Sequence, residues 1–197
     1  MKTVQEQIVN IEWEMFSQVH NADGPMGCQT DRTTFKVMRS SQAESWPQNV
    51  LESWLHDLET AKCEGRNLMS EKYAWMMEST FPEEFSRLAG SLPAVDSTTL
   101  SLIEDIVHAH VAWKLEIAQK YPRLNEKGRP VRSCEDGPWI TSFETYLRGE
   151  LKTYSPETVR RLHHHVQNLQ ARGENAAETT LQNQVRHYGY ASLDAVE

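Results

Sequence analysis

The sequence predicts an all-α fold: a single-domain compact helical bundle of roughly seven to nine helices over residues 1–197. Three observations carry that expectation. Apolar residues recur at spacings of three and four along nearly every periodic stretch. Helix-start residues and Gly or Pro stops punctuate those stretches. No segment alternates polar and apolar residues with the period of two that a half-buried strand needs, and no internal repeat is found.

The first helix is set by Val4, Ile8, Ile11, Met15 and Val19, spaced as one amphipathic stripe. A polar loop from Asn21 to Asp31 follows, with Gly24, Pro25 and Gly27, before "RTTFKVMRSSQAESW" resumes a helix. Pro47 is suited to the first position of the next helix, which carries Leu51, Trp54, Leu55 and Leu58 to a stop at Gly65. In "SEKYAWMMEST" Ser70 is the expected N-cap, and Pro82 ends the run. A short piece, "PEEFSRLAG", leads to a linker at Pro93.

The longest helix is expected from about Ser97, with Leu100, Ile103, Val107, Val111 and Leu115 toward the core. It closes at "KYPRLNEKGRP", and the chain from there to Pro138 is an ordered loop rather than a domain break. "TSFETYLRGELKTYS" opens with a capping box of Thr141 and Glu144. Ser155 and Pro156 then begin a helix with Val159, Leu162, Val166 and Leu169 on one face and Gly173 as its stop. A last helix carries Ala177, Leu181, Val185 and Tyr188.

The formal charge of −8 argues against a broad nucleic-acid surface, and against DNA binding, because phosphate binding needs a field of the opposite sign. A local basic patch stays open. Cys28, Cys63 and Cys134 are odd in number and fit no CxxC pattern, which suits a reducing compartment. Glu6, Glu12 and Glu14 interrupt what a signal peptide would need as an apolar core, and no stretch approaches the ~20 apolar residues of a membrane span. The expected location is cytoplasmic.

Metal binding is not expected. His108 and His110 lie two apart on a helix and face different ways, and His163, His164 and His165 fan around theirs, so the run is expected as exposed helix surface. Neither GxGxxG nor GxxxxGK[ST] is present, so no nucleotide cofactor is expected. GxSxG is missing too. Cys28, in a glycine-flanked loop before a helix start, is a candidate reactive thiol without an assignable partner.

Two stretches remain. Glu71, Trp75 and Glu78 share a helical face at i, i+4 and i+7. Two carboxylates flanking an indole suit a guanidinium or ammonium ligand; the same residues also read as helix-start chemistry and solvated charge. "TSFETYLRGELKTYS" interleaves Glu144, Arg148, Glu150 and Lys152 with Phe143, Tyr146 and Tyr154, either as a solvated ion-paired face or as a pocket wall. The loop "YPRLNEKGRPVRSCEDGP" concentrates Arg123, Lys127, Arg129 and Arg132 and offers either phosphate contacts or internal pairs with Glu126, Glu135 and Asp136.

These stretches together resemble one family. "IVNIEWEMFSQVHN", "GCQTDRTTFKVMRSSQAESW", "GRNLMSEKYAWMMESTFPEEF", "KYPRL" with "GRPVRS", "TSFETYLRGELKTYS" and "VRHYGYASLDAVE" resemble domain-of-unknown-function family 4125 over essentially the whole chain. The first loop departs from the family's tendency toward "GGRAxCQDD": "DGPMGCQTD" places Pro25, Met26 and Thr30 where a small residue, Arg and an acid would stand. The family in turn resembles fungal synthases of arginine-containing cyclic dipeptides. The resemblance implies an aminoacyl-tRNA-dependent cyclodipeptide synthase with arginyl-tRNA as a substrate, using no cofactor. An amine would attack an ester carbonyl, and the dipeptidyl ester would then close to a diketopiperazine.

Under that reading Glu78, Glu144, Tyr146 and Arg148 are the expected catalytic set, as proton carriers and carbonyl-oxygen stabiliser. Glu71, Trp75, Arg66 and Asp136 would bind substrate, and Arg129, Arg132, Lys152, Arg160 and Arg161 would meet tRNA. The pocket-wall reading is preferred because two separate helices carry the same mix of acid, aromatic and base. An enzyme acting on a small cationic or amino-acid substrate without tRNA, and a non-catalytic helical binding protein, are the alternatives.

Overall fold

The computed structural model describes residues 2–19, 29–126, 128–138 and 140–197, without the side chains of Asn125 and Glu126. Cys28 and its loop lie outside the described residues, as do Lys127 and Trp139. Among the described residues the chain forms ten α-helices, nine of them seven residues or longer, and no strand. They are α1 (Val4–Ser17), α2 (Arg32–Ala43), α3 (Gln48–Cys63), α4 (Leu68–Thr80), α5 (Pro82–Leu88), α6 (Ser97–Lys120), α7 (Pro122–Glu126), α8 (Phe143–Leu151), α9 (Pro156–Arg172) and α10 (Ala176–His187). The fold is all-α, as the periodicity requires.

Local chemistry sets the helix starts. Thr3 and Glu6 form a reciprocal capping box on α1, and Ser155 caps α9 with Pro156 in its first turn. Gly173 ends α9 at φ +66°, a left-handed conformation open to glycine without steric cost. Three expected starts move. Pro47 is the N-cap of α3 rather than its first helical residue. Asn67, not Ser70, caps α4: its Oδ1 accepts from Ser70 N–H at 3.0 Å while its Nδ2 donates to Met15 O at 2.8 Å, so one amide both starts α4 and ties it to α1. Ser142, not Thr141, caps α8, and Glu144 is thereby released from capping.

The helices pack as α4 on α8, α6 on α9, α1 on α3 and α2, and α10 on α2 and α6. Trp54, Leu58, Val50, Ile103, Ile106, Val107 and Val159 are fully enclosed. Each side chain of that size contributes about 1.5–3 kcal/mol on burial. On α6 the core side turns toward Ile103, Ile106, Val107, Val111, Trp113 and Ile117, while Leu100 and Leu115 are only half-buried. Tyr188, expected on the apolar stripe of α10, is exposed. A satellite cluster of Ile117, Tyr121, Val185 and Leu193 seats the C-terminal residues on α6 and α10.

Four charged residues lie in the main core. Glu12 and Glu150 are buried to 0% and 2% exposure, and Lys72 to 2%. Arg39 donates to Glu12 at 2.5 and 2.8 Å and to Glu150 at 3.1 Å. Lys72 meets Glu150 at 2.5 Å, Tyr154 O–H donates to Glu150 at 2.9 Å, and Trp54 Nε1–H donates to Glu12 at 2.8 Å. Two carboxylates and two cations cancel, and each side chain has partners, which is the condition for charge to survive away from water. Burial pushes the Glu150 carboxyl up, but Arg39 and Lys72 outweigh it and hold the group far below the usual carboxylate range.

Candidate functional site

The second turn of α4 and the middle of α8 face each other across Gly149. A Cβ there would sit 2.9 Å from Met76 Cγ and 3.0 Å from Lys72 O, so glycine permits the close crossing. Next to this crossing lies an open cleft of about 220 Å³ lined by Trp75, Glu78, Ser79, Ser133, Thr145, Arg148 and Gly149. Of the acid, aromatic and basic residues of the two stretches, Trp75, Glu78 and Arg148 line this cleft, and Glu144 and Lys152 are bonded to lining residues.

Arg148 holds Glu104 on α6 with a two-pronged pair, 2.7 and 2.9 Å, and reaches Glu144 one turn back at 2.9 Å. Glu144 also accepts from the Ser133 N–H at 2.8 Å. Its burial raises the carboxyl's pKa, yet the Ser133 and Arg148 hydrogen bonds bring it below the ordinary value. Asp136 accepts from Ser142 N–H at 2.6 Å, from Ser79 Oγ at 2.6 Å and from Thr145 Oγ1 at 2.5 Å. Burial works against the anion there too, and the three donors overcome it. Glu144 and Asp136 are therefore anchored anions, poor at taking a proton. Glu78 is the half-exposed acid of the cleft; Lys152 donates to it and stands 4.6 Å above the Trp75 ring.

Trp75 has a second peculiarity. Among the described residues its indole N–H is the one buried side-chain nitrogen or oxygen with no hydrogen-bond partner. A donor left unpaired in this way costs about 1–3 kcal/mol.

Several expected site residues are elsewhere. Glu71 is bound by Arg66 at 2.8 and 2.9 Å near the start of α4. Seven residues separate Glu71 from Glu78, about 10 Å along the axis, so the two carboxylates do not converge on one guanidinium. Tyr146 is not among the cleft-lining residues; its ring receives Lys72 Nζ at 3.4 Å and the Arg129 guanidinium at 4.9 Å. Arg129 also donates to Thr141 O, and Arg132 is exposed on the loop beside Ser133. Arg160 and Arg161 share Glu157 at 2.7 and 2.6 Å on α9, which packs against α3 and α6. The arginines and the lysine expected to meet tRNA thus form no single track: Lys152 pairs with Glu78 of the cleft, Arg129 lies against Tyr146, Arg132 is exposed beside Ser133, and the last two are on another helix.

A wider groove of about 360 Å³ runs between α6 and α9, lined by Asp105, His108, His163, Gln167 and Gln170. His163 pairs with Asp105 at 3.2 Å and His165 with Ser45 O at 3.2 Å, so both are half-buried rather than plain exposed surface. Residues expected to act do not line it. Among the described residues no group of three or more His, Cys, Asp or Glu is placed to hold a metal ion, and no helix is long and apolar enough to cross a membrane.

A family model, described as a protein of unknown function (DUF4125), matches residues 2–197. The chain belongs to that family. No curated protein and no solved structure matches it. The DUF4125 match includes every residue of the cleft, so the α4–α8 site is part of the family's domain.

Sequence reasoning missed Glu104, the partner of Arg148, and the buried Glu12–Arg39–Lys72–Glu150 network. A signal for the network was present. Each of the four sits among apolar residues of its own helix, as Glu12 does between Ile8 and Met15, and Lys72 between Leu68 and Met76.

Proposed function

We propose that this DUF4125 protein is an enzyme that takes a cationic, arginine-type amino-acid substrate in the α4–α8 cleft. The observation that carries the reading is charge. Counting the cleft's lining residues and the groups bonded directly to them, the four acids Glu78, Glu104, Glu144 and Asp136 outnumber the two bases Arg148 and Lys152 by two, beside an indole face. Carboxylates with free lone pairs on Glu78 and Glu104, about half exposed, suit a guanidinium. Glu78 is the candidate proton acceptor, and Arg148, held by two anchored acids, the candidate stabiliser of negative charge on a carbonyl oxygen.

In the finer form of this proposal the substrate arrives as arginyl-tRNA. The α-amine of one aminoacyl group attacks the ester carbonyl of the other, releasing one tRNA 3′-terminal hydroxyl. The free amine of the dipeptidyl ester then attacks its own ester carbonyl, giving the diketopiperazine and the second tRNA. The test is incubation with arginyl-tRNA and a set of other charged tRNAs, read by mass spectrometry. A cyclic product containing arginine is expected; none, beside an active control enzyme, overturns the tRNA-dependent form.

A second reading, catalysis on a small cationic substrate without tRNA, draws on the pairing of Arg160 and Arg161 with Glu157 and on the charge of −8. Salt separates the two. Affinity for tRNA falls steeply with added salt, while affinity for a small cation falls far less.

A further inference from the structure

The cation site proposed above already holds a cation of the chain itself. Lys152, at the C-terminal end of α8, places its ammonium between the Glu78 carboxylate and the face of Trp75. Its side chain is 9% exposed, whereas those of Lys62 and Lys120, each also ion-paired, are 58% and 57% exposed. Lysine is rarely so enclosed without a reason. Its carboxylate partner is half exposed, and the adjoining cleft of about 220 Å³ gives a ligand a way in. An ammonium meeting one carboxylate and one indole face is the pair of contacts that a ligand cation would make.

We propose that Lys152 is a resident competitor that sets the affinity of the cleft for every cationic ligand; this rests on the reading of the cleft as a cation site. A ligand binds only in the fraction of molecules whose Lys152 has left Glu78, so every cation is weakened by one common factor. A ligand ammonium offers Glu78 and Trp75 nothing that Lys152 does not. A guanidinium offers more, because its planar fork gives two parallel hydrogen bonds to a carboxylate and stacks on an indole with a smaller loss of hydration. The common factor thus drops ammonium ligands below useful occupancy while guanidinium ligands stay bound. On this account Lys152 sets the affinity threshold of the site while Glu78 and Trp75 set the preference between cations, and the release of the Lys152 side chain into solvent accompanies substrate entry.

The experiment titrates arginine methyl ester and lysine methyl ester, without tRNA, into the wild-type chain and the K152M and E78Q/K152M variants, by calorimetry. Glu78 is half exposed and remains solvated when Lys152 is lost, so K152M keeps its fold; a thermal melt of each variant checks this. Wild type is expected to bind the arginine ester more tightly than the lysine ester. K152M is expected to bind both more tightly, by the same factor of about ten if the resident ammonium holds the site roughly nine-tenths of the time. E78Q/K152M is expected to lose that gain. Unchanged or weaker binding of the arginine ester by folded K152M overturns the proposal, as does absence of binding in both proteins. The two readings fail separately. Cyclic product from wild type with unchanged binding in K152M sinks the competitor and spares the enzyme; tighter binding in K152M without any product does the reverse.

Discussion

Glu78 and Glu144 were equivalent acids in the sequence, and their surroundings make them different in kind. Glu78 is half exposed, and the Lys152 ammonium that it holds is free to swing into solvent once that charge is removed, so little is stranded. Glu144 is mostly enclosed and holds both the Ser133 N–H and Arg148. Compared in the K152M background, where no resident ammonium competes, E78Q is expected to weaken arginine methyl ester binding about tenfold, roughly the loss of one charge-assisted contact, with a melting temperature unchanged within about 2 °C. E144Q is expected to lower stability by about 1 kcal/mol, because a carboxamide offers only one acceptor oxygen where two donors now meet a carboxylate. Calorimetric titration and thermal melts of the two variants read the contrast; equal behaviour in both assays would contradict it. Glu150 is the extreme case. E150Q leaves Lys72 and Arg39 buried with Glu12 alone to balance them, and a loss of about 3–5 kcal/mol in urea unfolding is expected. Adding K72M to E150Q restores the count of one cation to one carboxylate, so the double variant is expected to lose markedly less than the two single losses added together.

The helix pair α4–α8 shows where the sequence could be read and where it could not. Its helices, like α9 with its Ser155–Pro156 start and Gly173 stop, follow from local periodicity and caps, but the starts of α4 and α8 themselves move to Asn67 and Ser142. Asn67 displaced Ser70 as a cap because its amide also reaches Met15 O on α1, a contact no local rule contains. The cleft was legible in part. Trp75, Glu78, Asp136, Glu144, Arg148 and Lys152 were singled out by residue type and do come together. Glu71, taken with Trp75 and Glu78 for its helical face, and Tyr146, taken as a proton carrier, are drawn elsewhere by their three-dimensional partners Arg66 and Lys72. Gly149 is the element-scale determinant that spacing did not flag. G149A is expected to push α8 off α4, since the new methyl meets the Lys72 backbone carbonyl at 3.0 Å and backbone cannot rotate away. Alanine gains roughly 1 kcal/mol in helix propensity, against an overpacking cost of about 1–3 kcal/mol. A net destabilisation in urea unfolding is therefore expected, with weaker ligand binding because the cleft lies at this crossing. Equal stability and equal binding would show that the pair can spread freely.

At the scale of the whole molecule, acid stability is where the buried groups act together. His110 on α6 is half-buried beside Trp113, ring centroids 5.0 Å apart, with Nδ1 bonded to Ile106 O at 2.9 Å. Burial drives its pKa down to about 4, only partly offset by the Ile106 carbonyl, and the nearby His165 adds to the depression. The unfolded chain takes up this proton near pH 6.5, whereas the folded chain resists until about pH 4. Between those values the unfolded state binds more protons, so stability must fall as the pH falls. The slope is about 1.4 kcal/mol per pH unit, for a total of up to about 3 kcal/mol, levelling off below pH 4. Half-buried His165, whose pKa burial also lowers, adds to the loss in the same direction. Glu150 contributes with the same sign of linkage but at lower pH. Its folded pKa is held down by Arg39 and Lys72, so its stabilisation is complete above the ordinary carboxylate range and is lost as pH falls toward that depressed value. The acid limb should therefore come in two stages, a histidine stage from about pH 6.5 to 4 and a carboxylate stage below it. Urea unfolding at half-unit steps from pH 7.5 to 3.5 reads the first stage, and H110F, which cannot take the proton, is expected to flatten it to the shallow slope left by His165. If H110F kept the wild-type slope, the acid sensitivity would have to arise from groups other than this imidazole.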